Sequence, residues 1–264
     1  MHVDGAKVLL TGASSGIGAA TARLLARSGA TVGIIGRRAD LLAAVLEECR
    51  RDQPDCRMWV ADLGDLETAE SLVDSAWEAF GRLDVLINNA AVPKRRAVVA
   101  LTAAEVEDTM RVNFLAPSRM TLRALPRMMA GAGGVIVNVA SMGGRLGIAH
   151  EAAYCASKFA LTGWSEAMAI DLHGTNVAVR LIQPGPIDTD IWDRDGEDPP
   201  LFDIEKLPPE LVAEGILSAI EGDAFEHYLP DLKAVVTGKD ADIDAYIAAL
   251  ASVIPGVPIN GGDR

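Results

Sequence analysis

The sequence predicts an α/β protein built on a doubly wound parallel β-sheet with helices on both faces. Short, continuous apolar runs rich in valine, isoleucine and leucine recur along the first 182 residues, as in strands buried on both faces of a parallel sheet. Longer amphipathic stretches separate these runs. This alternation predicts right-handed crossovers between parallel strands. No internal repeat or low-complexity linker divides the chain, so we expect a single domain.

The elements follow one another in a regular order. Strands are predicted at Lys7–Leu10, Thr31–Ile35, Arg57–Val60, Leu83–Ile87, Val135–Val139 and Val177–Ile182. Helices are predicted at about Gly16–Ser28, Asp40–Asp52, Leu66–Phe80, Ala103–Met129 and Ala153–Leu172. A capping-box pattern at Thr102–Glu105 opens the fourth helix. Pro117 and Pro126 predict a kink or a break within that helix.

The chain changes character after Ile182. Gln183–Pro186 ends the sixth strand, and Asp193–Pro200 has the composition of a mobile loop. Further elements are predicted as a helix at Pro208–Ile220, a short strand at Glu226–Leu229 and a last helix near Ala241–Ala251. In an open α/β sheet the ligand lies beyond the carboxyl ends of the strands. A long loop that leaves the sixth strand is therefore well placed to act as a lid.

The charge is divided unevenly along the chain. The protein has 37 acidic and 24 basic side chains, and residues 188–264 hold 18 of the acidic and 5 of the basic ones. The whole net charge of −13 therefore lies in this last segment. A neutral body with an acidic C-terminal part disfavours binding to nucleic acid or to an anionic membrane surface, because both need a positive footprint.

Other features of the composition exclude further classes. No apolar run approaches the roughly 18 residues of a membrane span, and the first residues have neither the basic nor the apolar part of an export signal. The three cysteines form no Cys-x-x-Cys pair, and the four histidines lack the spacing of metal ligands. We expect a reduced, cytoplasmic protein without a metal site.

A glycine-rich loop follows the first predicted strand. Residues Thr11–Gly18 read Thr-Gly-Ala-Ser-Ser-Gly-Ile-Gly and lead into a predicted helix. Backbone N–H groups at such a turn and at a helix N-terminus bind pyrophosphate, so the loop favours dinucleotide binding over a helix start that is merely rich in serine and glycine. After the second strand come Gly36, Arg37 and Arg38. An arginine here suits a 2′-phosphate, which favours NADP over NAD; the alternative is a solvated pair.

Ser141, Tyr154 and Lys158 are candidates for acid–base chemistry. Tyr154 and Lys158 are four residues apart on a predicted helix, so they share a face. A tyrosine with a pKa of about 10 is a poor base at neutral pH. Lowering that pKa by about three needs roughly 4 kcal/mol, which a nearby ammonium group and a cationic nicotinamide could supply. A Tyr-x-x-x-Lys pair alone is most often a surface contact, and its meaning depends on the other motifs.

These motifs together resemble the short-chain dehydrogenase/reductase family in its common form of about this length. The resemblance extends from Lys7 to about Thr189, with every motif in the family's order. The matching segments are Thr11–Gly18, Asp62-Leu63, Asn88–Ala91, Asn113, Ser141, Tyr154–Lys158, and Pro184-Gly185 followed by Ile187 and Thr189. Ala91 stands where the family usually has glycine.

The resemblance implies a Rossmann-type fold and a role for each motif. Tyr154 would act as general acid in reduction and general base in oxidation. Lys158 would lower the pKa of Tyr154 and bind the nicotinamide ribose, and Ser141 would orient the carbonyl oxygen. Asn113 would hold a water that links Lys158 to solvent. The residues assigned to the cofactor are Gly12, Ser14, Ser15, Gly16, Ile17, Gly18, Arg37, Arg38, Asp62, Leu63, Asn89, Ala90, Tyr154, Lys158, Pro184, Gly185, Ile187 and Thr189.

The main hypothesis is an NADP-preferring oxidoreductase that interconverts a carbonyl and a secondary alcohol on a moderately apolar small molecule. Residues 1–187 would form its cofactor-binding and catalytic core, and residues 188–264 its acidic substrate loop and C-terminal segment. One alternative is a 3-ketoacyl-thioester reductase that docks an acidic carrier on the stripe of Arg119, Arg123 and Arg127. Another is an NADP-binding regulatory protein without catalysis. The family also implies a dimer or tetramer formed through the helices that carry Asn113 and Tyr154.

Four residues near the motifs have weaker signals. His150 precedes Tyr154 on the substrate side and either contacts substrate or makes a local hydrogen bond. Trp192 and Phe202 flank the acidic loop and either line a hydrophobic pocket or anchor the loop. Cys155 is expected to be a small packed residue, with a redox switch as the lesser alternative.

Overall fold

Seven parallel strands form one sheet in residues 1–201, 203–252 and 254, which are the residues that the computed structural model of the protein describes. The strands are β1 (Lys7–Thr11), β2 (Thr31–Gly36), β3 (Arg57–Val60), β4 (Val85–Asn88), β5 (Gly134–Val139), β6 (Val177–Pro184) and β7 (Glu226–Leu229). Their order in the sheet is β3-β2-β1-β4-β5-β6-β7. The strand order reverses between β1 and β4, which pair through Val8–Val85, Leu9–Leu86 and Leu10–Ile87.

Helices cover both faces of the sheet. Those of the described residues are α1 (Gly16–Arg27), α2 (Ala39–Asp52), α3 (Leu66–Phe80), α4 (Ala103–Met110), α5 (Ala116–Ala130), α6 (Ala152–Asp171), α7 (Pro209–Glu221), α8 (Lys233–Ala241) and α9 (Ile243–Ala251). Val8 and Leu10 of β1 pack with α1, α2 and α7, whereas Leu9 packs with α3, α5 and α6. This alternation confirms the doubly wound, Rossmann-type sheet in a single domain, since successive strand residues point to opposite faces.

The predicted fourth helix, Ala103–Met129, is wrong as a single element. It consists of α4 and α5 joined by one wide helical turn at Arg111–Leu115, in which each N–H bonds to the carbonyl five residues back. Pro117 lies in the first turn of α5, where its missing N–H costs nothing. Pro126 lies inside α5 without ending it, because the buried face of the helix packs on both sides of it, at Met120 and Met128.

The structure has one helix in the C-terminal part, α8, that the sequence did not predict. α8 was not expected because β-branched residues and Gly238 are weak helix formers. Tertiary packing overrides that preference, since Val236 is buried against Met142 and Leu146. The strand at Glu226–Leu229 and the helix that follows Pro208 are confirmed. In the described residues, no helix has both the length and the apolar character needed to cross a membrane.

Candidate active site

The glycine loop between β1 and α1 has a backbone conformation that strongly favours glycine. Gly12 and Gly16 have φ of +72° and +53°, in the left-handed region. A Cβ atom on Gly18 would lie 2.2 Å from the carbonyl oxygen of Gly12, and one on Gly16 would lie 2.7 Å from the Thr189 methyl group. Among the described residues, the N-cap Ser15 makes no side-chain capping bond. The first residues of α1 line a cleft, and Gly16 and Gly18 leave their backbone bare there, which suits a pyrophosphate.

The segment after β4 ties this loop to the rest of the sheet. The Asn89 side chain donates to the carbonyl oxygen of Thr11 at 2.9 Å. The Thr11 hydroxyl in turn accepts from the backbone N–H groups of Asn89 (2.9 Å) and Ala90 (3.0 Å). The two segments lie at the carboxyl ends of β1 and β4, where the strand order reverses. This is the position at which doubly wound sheets bind nucleotides.

A cleft of about 160 Å³ lies along the loop. Residues predicted to bind cofactor that line it are Gly12, Ser14, Ser15, Gly16, Ile17, Gly18, Arg37, Arg38, Asp62, Leu63, Asn89, Ala90 and Thr189. The remaining ones, Tyr154, Lys158, Pro184, Gly185 and Ile187, line a second cavity of about 410 Å³, which shares Ile17, Asn89, Ala91, Thr189 and Ile191 with the first. The structure thus brings the predicted cofactor residues together along one groove.

The two arginines after β2 differ in their surroundings. The Arg38 guanidinium donates to Asp190 at 2.6 Å and to the hydroxyl groups of Ser14 and Ser15. It therefore lies across the glycine loop and bridges it to the segment after β6. Within the described part of the chain, the polar contact of Arg37 is one of 4.0 Å with Asp62, and its side chain is half-exposed. Arg37 thus keeps most of its donors available at the mouth of the cleft.

Ser141, Tyr154 and Lys158 meet at the second cavity. Ser141 lies two residues after β5, and its hydroxyl accepts from the Gly143 N–H at 3.0 Å. The Lys158 ammonium lies 5.8 Å from the centre of the Tyr154 ring. Burial raises the pKa of Tyr154 above its usual value, and the nearby Ser141 hydroxyl opposes that rise. The phenol is therefore protonated at neutral pH when no other group is bound.

Lys158 is a buried cation without a carboxylate partner among the described residues. Its side chain is almost completely buried, and its ammonium group donates to the Val139 carbonyl oxygen at 3.0 Å. Burial lowers the pKa of Lys158 to about 7. Strong displacement of a pKa by burial in a cavity is typical of functional sites, since a stable fold gains nothing from it.

Asn113 lies on the wide turn between α4 and α5. Its side-chain oxygen accepts from the Val92 N–H (2.8 Å), and its side-chain amide donates to the Val92 carbonyl oxygen (2.9 Å) and to the Ser157 hydroxyl (3.0 Å). The Ser157 hydroxyl donates to the Tyr154 carbonyl oxygen at 2.7 Å. Asn113 therefore joins the segment after β4 to the turn of α6 that carries Tyr154. The water that Asn113 is expected to hold stays a prediction.

The second cavity is mostly apolar beyond the Tyr154 hydroxyl. Its walls come from the segment after Ser141, the loop after β6 and the C-terminal helices, and they include Met142, Leu146, Ile148, Trp192, Leu232, Val235, Tyr246 and Leu250. His150 also lines it, with a φ of +62°, and Trp192 both lines it and donates to the Ile187 carbonyl oxygen at 2.7 Å. Phe202 lies outside the described residues. Cys155 is buried, and burial raises its pKa to about 11, which fits a packed thiol.

Glu151 is a functional candidate that the sequence reasoning missed. It lines the cavity one helical turn before Tyr154, and burial raises its pKa to about 7, with Glu197 adding to the rise and Arg95 opposing it. A carboxyl group that titrates near neutrality beside a reactive phenol is able to bind a polar group of a ligand. The sequence feature that could have indicated a functional role for Glu151 is its position immediately before the helix that carries Tyr154.

The loop predicted to be a lid is held by Arg95. This side chain is 5% exposed, and its guanidinium donates to the carbonyl oxygens of Ile191 (3.1 Å), Trp192 (2.7 Å) and Asp198 (3.0 Å). Lys94 pairs with Glu197 at 2.8 Å. The sequence contains a basic run at residues 94–96 and an acidic loop at Asp193–Pro200. Nothing in the sequence shows that these two segments contact each other.

The arginine stripe on α5 is paired within the chain. Arg119 contacts Glu70 at 3.1 Å, and Arg123 and Arg127 contact Asp74 at 2.7 and 3.0 Å, both acids being on α3. These intramolecular pairs neutralise much of the positive charge that docking of an acidic carrier would need.

Comparison with known proteins agrees with this geometry. The family model described as short chain dehydrogenase matches residues 6–200. The chain is 35% identical over 252 residues to an uncharacterized oxidoreductase of Bacillus subtilis, covering 92% of this chain and 68% of that protein. It is 29% identical to D-threitol dehydrogenase of Mycolicibacterium smegmatis (92% and 93% covered) and 30% identical to a 3-oxoacyl-[acyl-carrier-protein] reductase of Thermotoga maritima (92% and 98% covered).

Solved structures agree with the fold. A short-chain dehydrogenase/reductase of Burkholderia phymatum in complex with NAD superposes with a TM-score of 0.85 at 25% identity, over 93% of this chain and 96% of that one. One of Burkholderia cenocepacia in complex with NADP gives a TM-score of 0.78 at 27% identity, over 95% and 99%. The chain belongs to the short-chain dehydrogenase/reductase family. It is an oxidoreductase that uses a nicotinamide cofactor.

Proposed function

We propose that the protein is an NADP-preferring oxidoreductase that interconverts a carbonyl and a secondary alcohol on a neutral, moderately apolar small molecule. The observation that carries the proposal is the continuity of the two cavities. The cleft along the glycine loop, with Arg37 at its mouth, opens into an apolar cavity that contains Ser141, Tyr154 and Lys158.

The cofactor fits the groove because glycine leaves the backbone bare there. Gly12, Gly16 and Gly18 would receive the pyrophosphate, and Asp62 and Leu63 would contact the adenine side. Pro184, Gly185, Ile187 and Thr189 would hold the nicotinamide end. When bound, this cofactor supplies the hydride in reduction and accepts it in oxidation. A 2′-phosphate would meet Arg37 and Arg38 at the end of β2.

The chain's own residues would handle the proton. Tyr154 is protonated at neutral pH, so its hydroxyl can donate a proton to a carbonyl oxygen as that oxygen gains charge. The Ser141 hydroxyl, which lines the same cavity, would bind the same carbonyl oxygen and fix its direction. Lys158, when protonated, would stabilise the phenolate that remains. Asn113 would position α6 through Ser157.

The walls of the 410 Å³ cavity support the substrate class. Aliphatic and aromatic side chains dominate them, which favours an apolar body on the substrate. Glu151 is an acidic group in the same cavity, and it disfavours a carboxylate or phosphate on the substrate. The carrier-bound ketoacyl thioester has less support, since the arginines that would dock the carrier are paired with α3.

We also propose that the protein is a dimer or tetramer through the helices beside the site. Large apolar side chains are exposed on α5 and α6, among them Leu122 (55% exposed), Phe159 (41%) and Ile170 (75%). Large exposed apolar side chains on these helices favour a subunit contact there. Light scattering in solution tests the assembly independently of activity.

The cofactor preference is tested by Arg37→Asp. We expect the ratio of kcat/KM with NADPH to that with NADH to fall by at least about 100-fold, because the change removes a charged hydrogen bond and adds repulsion toward the 2′-phosphate. The measurement is the loss of NADPH or NADH absorbance with a panel of neutral ketones. Arg51→Asp, at an exposed position at the far end of α2, is the matched control and should leave the ratio unchanged. An unchanged ratio in Arg37→Asp would reject the 2′-phosphate assignment.

A further inference from the structure

A third arginine lines the cofactor cleft, and it comes from the loop after β6. Arg194 is half-buried and lines the cleft with Asp190 and Ile191 of the same loop. Its Nε atom is buried and has no hydrogen-bond partner in the described part of the chain. A buried guanidinium N–H without a partner is costly unless a ligand satisfies it.

The charges around Arg194 leave the cleft positive. Burial lowers the pKa of Arg194, and the like charges of Arg37 and Arg38 lower it further, whereas Asp190 and Glu197 oppose the shift. Three guanidinium groups and two carboxylates, those of Asp62 and Asp190, line the cleft, so one positive charge is in excess. Asp190 is already taken up by Arg38 at 2.6 Å. The excess charge therefore belongs to Arg37 and Arg194.

An anion between Arg37 and Arg194 would remove this repulsion. A phosphate dianion can accept from two guanidinium groups at once, and such charge-assisted bonds are the strong ones. The position favours the ribose phosphate over the pyrophosphate, because Arg37 belongs to the end of β2 and the pyrophosphate site belongs to the glycine loop.

We propose that Arg194 binds the 2′-phosphate of NADP together with Arg37, so that the loop after β6 takes part in choosing the cofactor. This inference rests on the proposed NADP preference. Arg95 holds the same loop through the carbonyl oxygens of Ile191, Trp192 and Asp198. The loop that borders the substrate cavity would thus be fastened by Arg95 on one side and by the cofactor phosphate on the other.

The test is a set of binding measurements that need no substrate. Dissociation constants of NADPH, NADH, adenosine 2′,5′-bisphosphate and adenosine 5′-monophosphate are measured by calorimetry for the unaltered protein, Arg194→Gln and Arg194→Lys. We expect Arg194→Gln to weaken NADPH and the bisphosphate by about 10- to 100-fold, the range of a charged hydrogen bond, and to leave NADH and the monophosphate within about twofold. Arg194→Lys should restore part of the loss. Asp195→Asn, an exposed neighbour on the same loop, is the matched control.

The other possible results would reject either the role of Arg194 or the NADP preference. Equal weakening of NADPH and NADH would place Arg194 on the pyrophosphate and reject the proposal. No weakening of NADPH, with NADPH still preferred by the unaltered protein, would reject Arg194 alone and leave the proposed function standing. An unaltered protein that binds NADH as tightly as NADPH would reject the NADP preference and this inference with it. Thermal unfolding of each variant confirms that the fold is retained.

Discussion

Replacing Tyr154 with phenylalanine is expected to lower kcat by about 10²- to 10⁴-fold, the contribution of a well-placed general acid. The substitution removes only the phenol hydroxyl and keeps the ring beside the Lys158 ammonium. The dissociation constant for NADPH should therefore stay within about twofold. Steady-state turnover of a neutral ketone and calorimetric binding of NADPH are the two measurements.

The control for this variant is Tyr228→Phe, which removes a hydroxyl on β7 outside both cavities. It should keep turnover close to that of the unaltered protein. If Tyr154→Phe turned over at a similar rate, proton transfer would have to come from another group, and Glu151 would be the next candidate.

Lys158→Met is expected to make the cofactor-free protein more stable while it removes activity. The pKa of this buried lysine is about 7 instead of the ordinary 10.5. That difference means that burying the charged lysine destabilises the folded protein by roughly 5 kcal/mol. Loss of the bond to Val139 offsets about 1–3 kcal/mol. We expect a net gain of about 2–4 kcal/mol in the free energy of unfolding at pH 6, measured by denaturant titration.

The stability advantage of Lys158→Met depends on pH. Below pH 7 the lysine is charged in both the folded and unfolded states, so the full penalty of burial applies. Between about pH 7 and pH 10.5 the lysine is protonated in the unfolded chain and neutral in the folded protein. The free energy of unfolding of the unaltered protein therefore rises with pH in this range. The advantage of Lys158→Met should therefore shrink from pH 6 to pH 9. Lys233→Met, at the exposed start of α8, is the control and should change little at either pH. An equal advantage at both values would contradict the burial argument.

Most of the fold and the central motifs could be predicted because they depend on local pattern. Buried parallel strands are continuous apolar runs, and the glycine loop needs left-handed φ values at Gly12 and Gly16 that few other residues adopt. The pairing of Tyr154 with Lys158 follows from helical spacing alone. These features are written in a few consecutive residues, so a single sequence is enough to find them.

The features that escaped prediction depend on distant parts of the chain. The wide turn at Arg111–Leu115 forms where Asn113 bonds Val92 and Ser157, which are 21 and 44 residues away. α8 exists because Val236 finds a buried site beside Met142. Arg194 lines the cofactor cleft because the loop after β6 folds against it. Contacts of this kind are set by tertiary packing, which no local pattern encodes.

The central claim is that the groove and the apolar cavity together carry out hydride transfer between a nicotinamide cofactor and a carbonyl. The most direct measurement uses NADPH that carries deuterium at the transferable position of the nicotinamide, with mass spectrometry of the alcohol formed from a neutral ketone. We expect a single deuterium on the carbinol carbon of every product molecule, and at least about 100-fold less of this product from Tyr154→Phe in the same time. Alcohol without deuterium, or consumption of the cofactor without any alcohol, would contradict it.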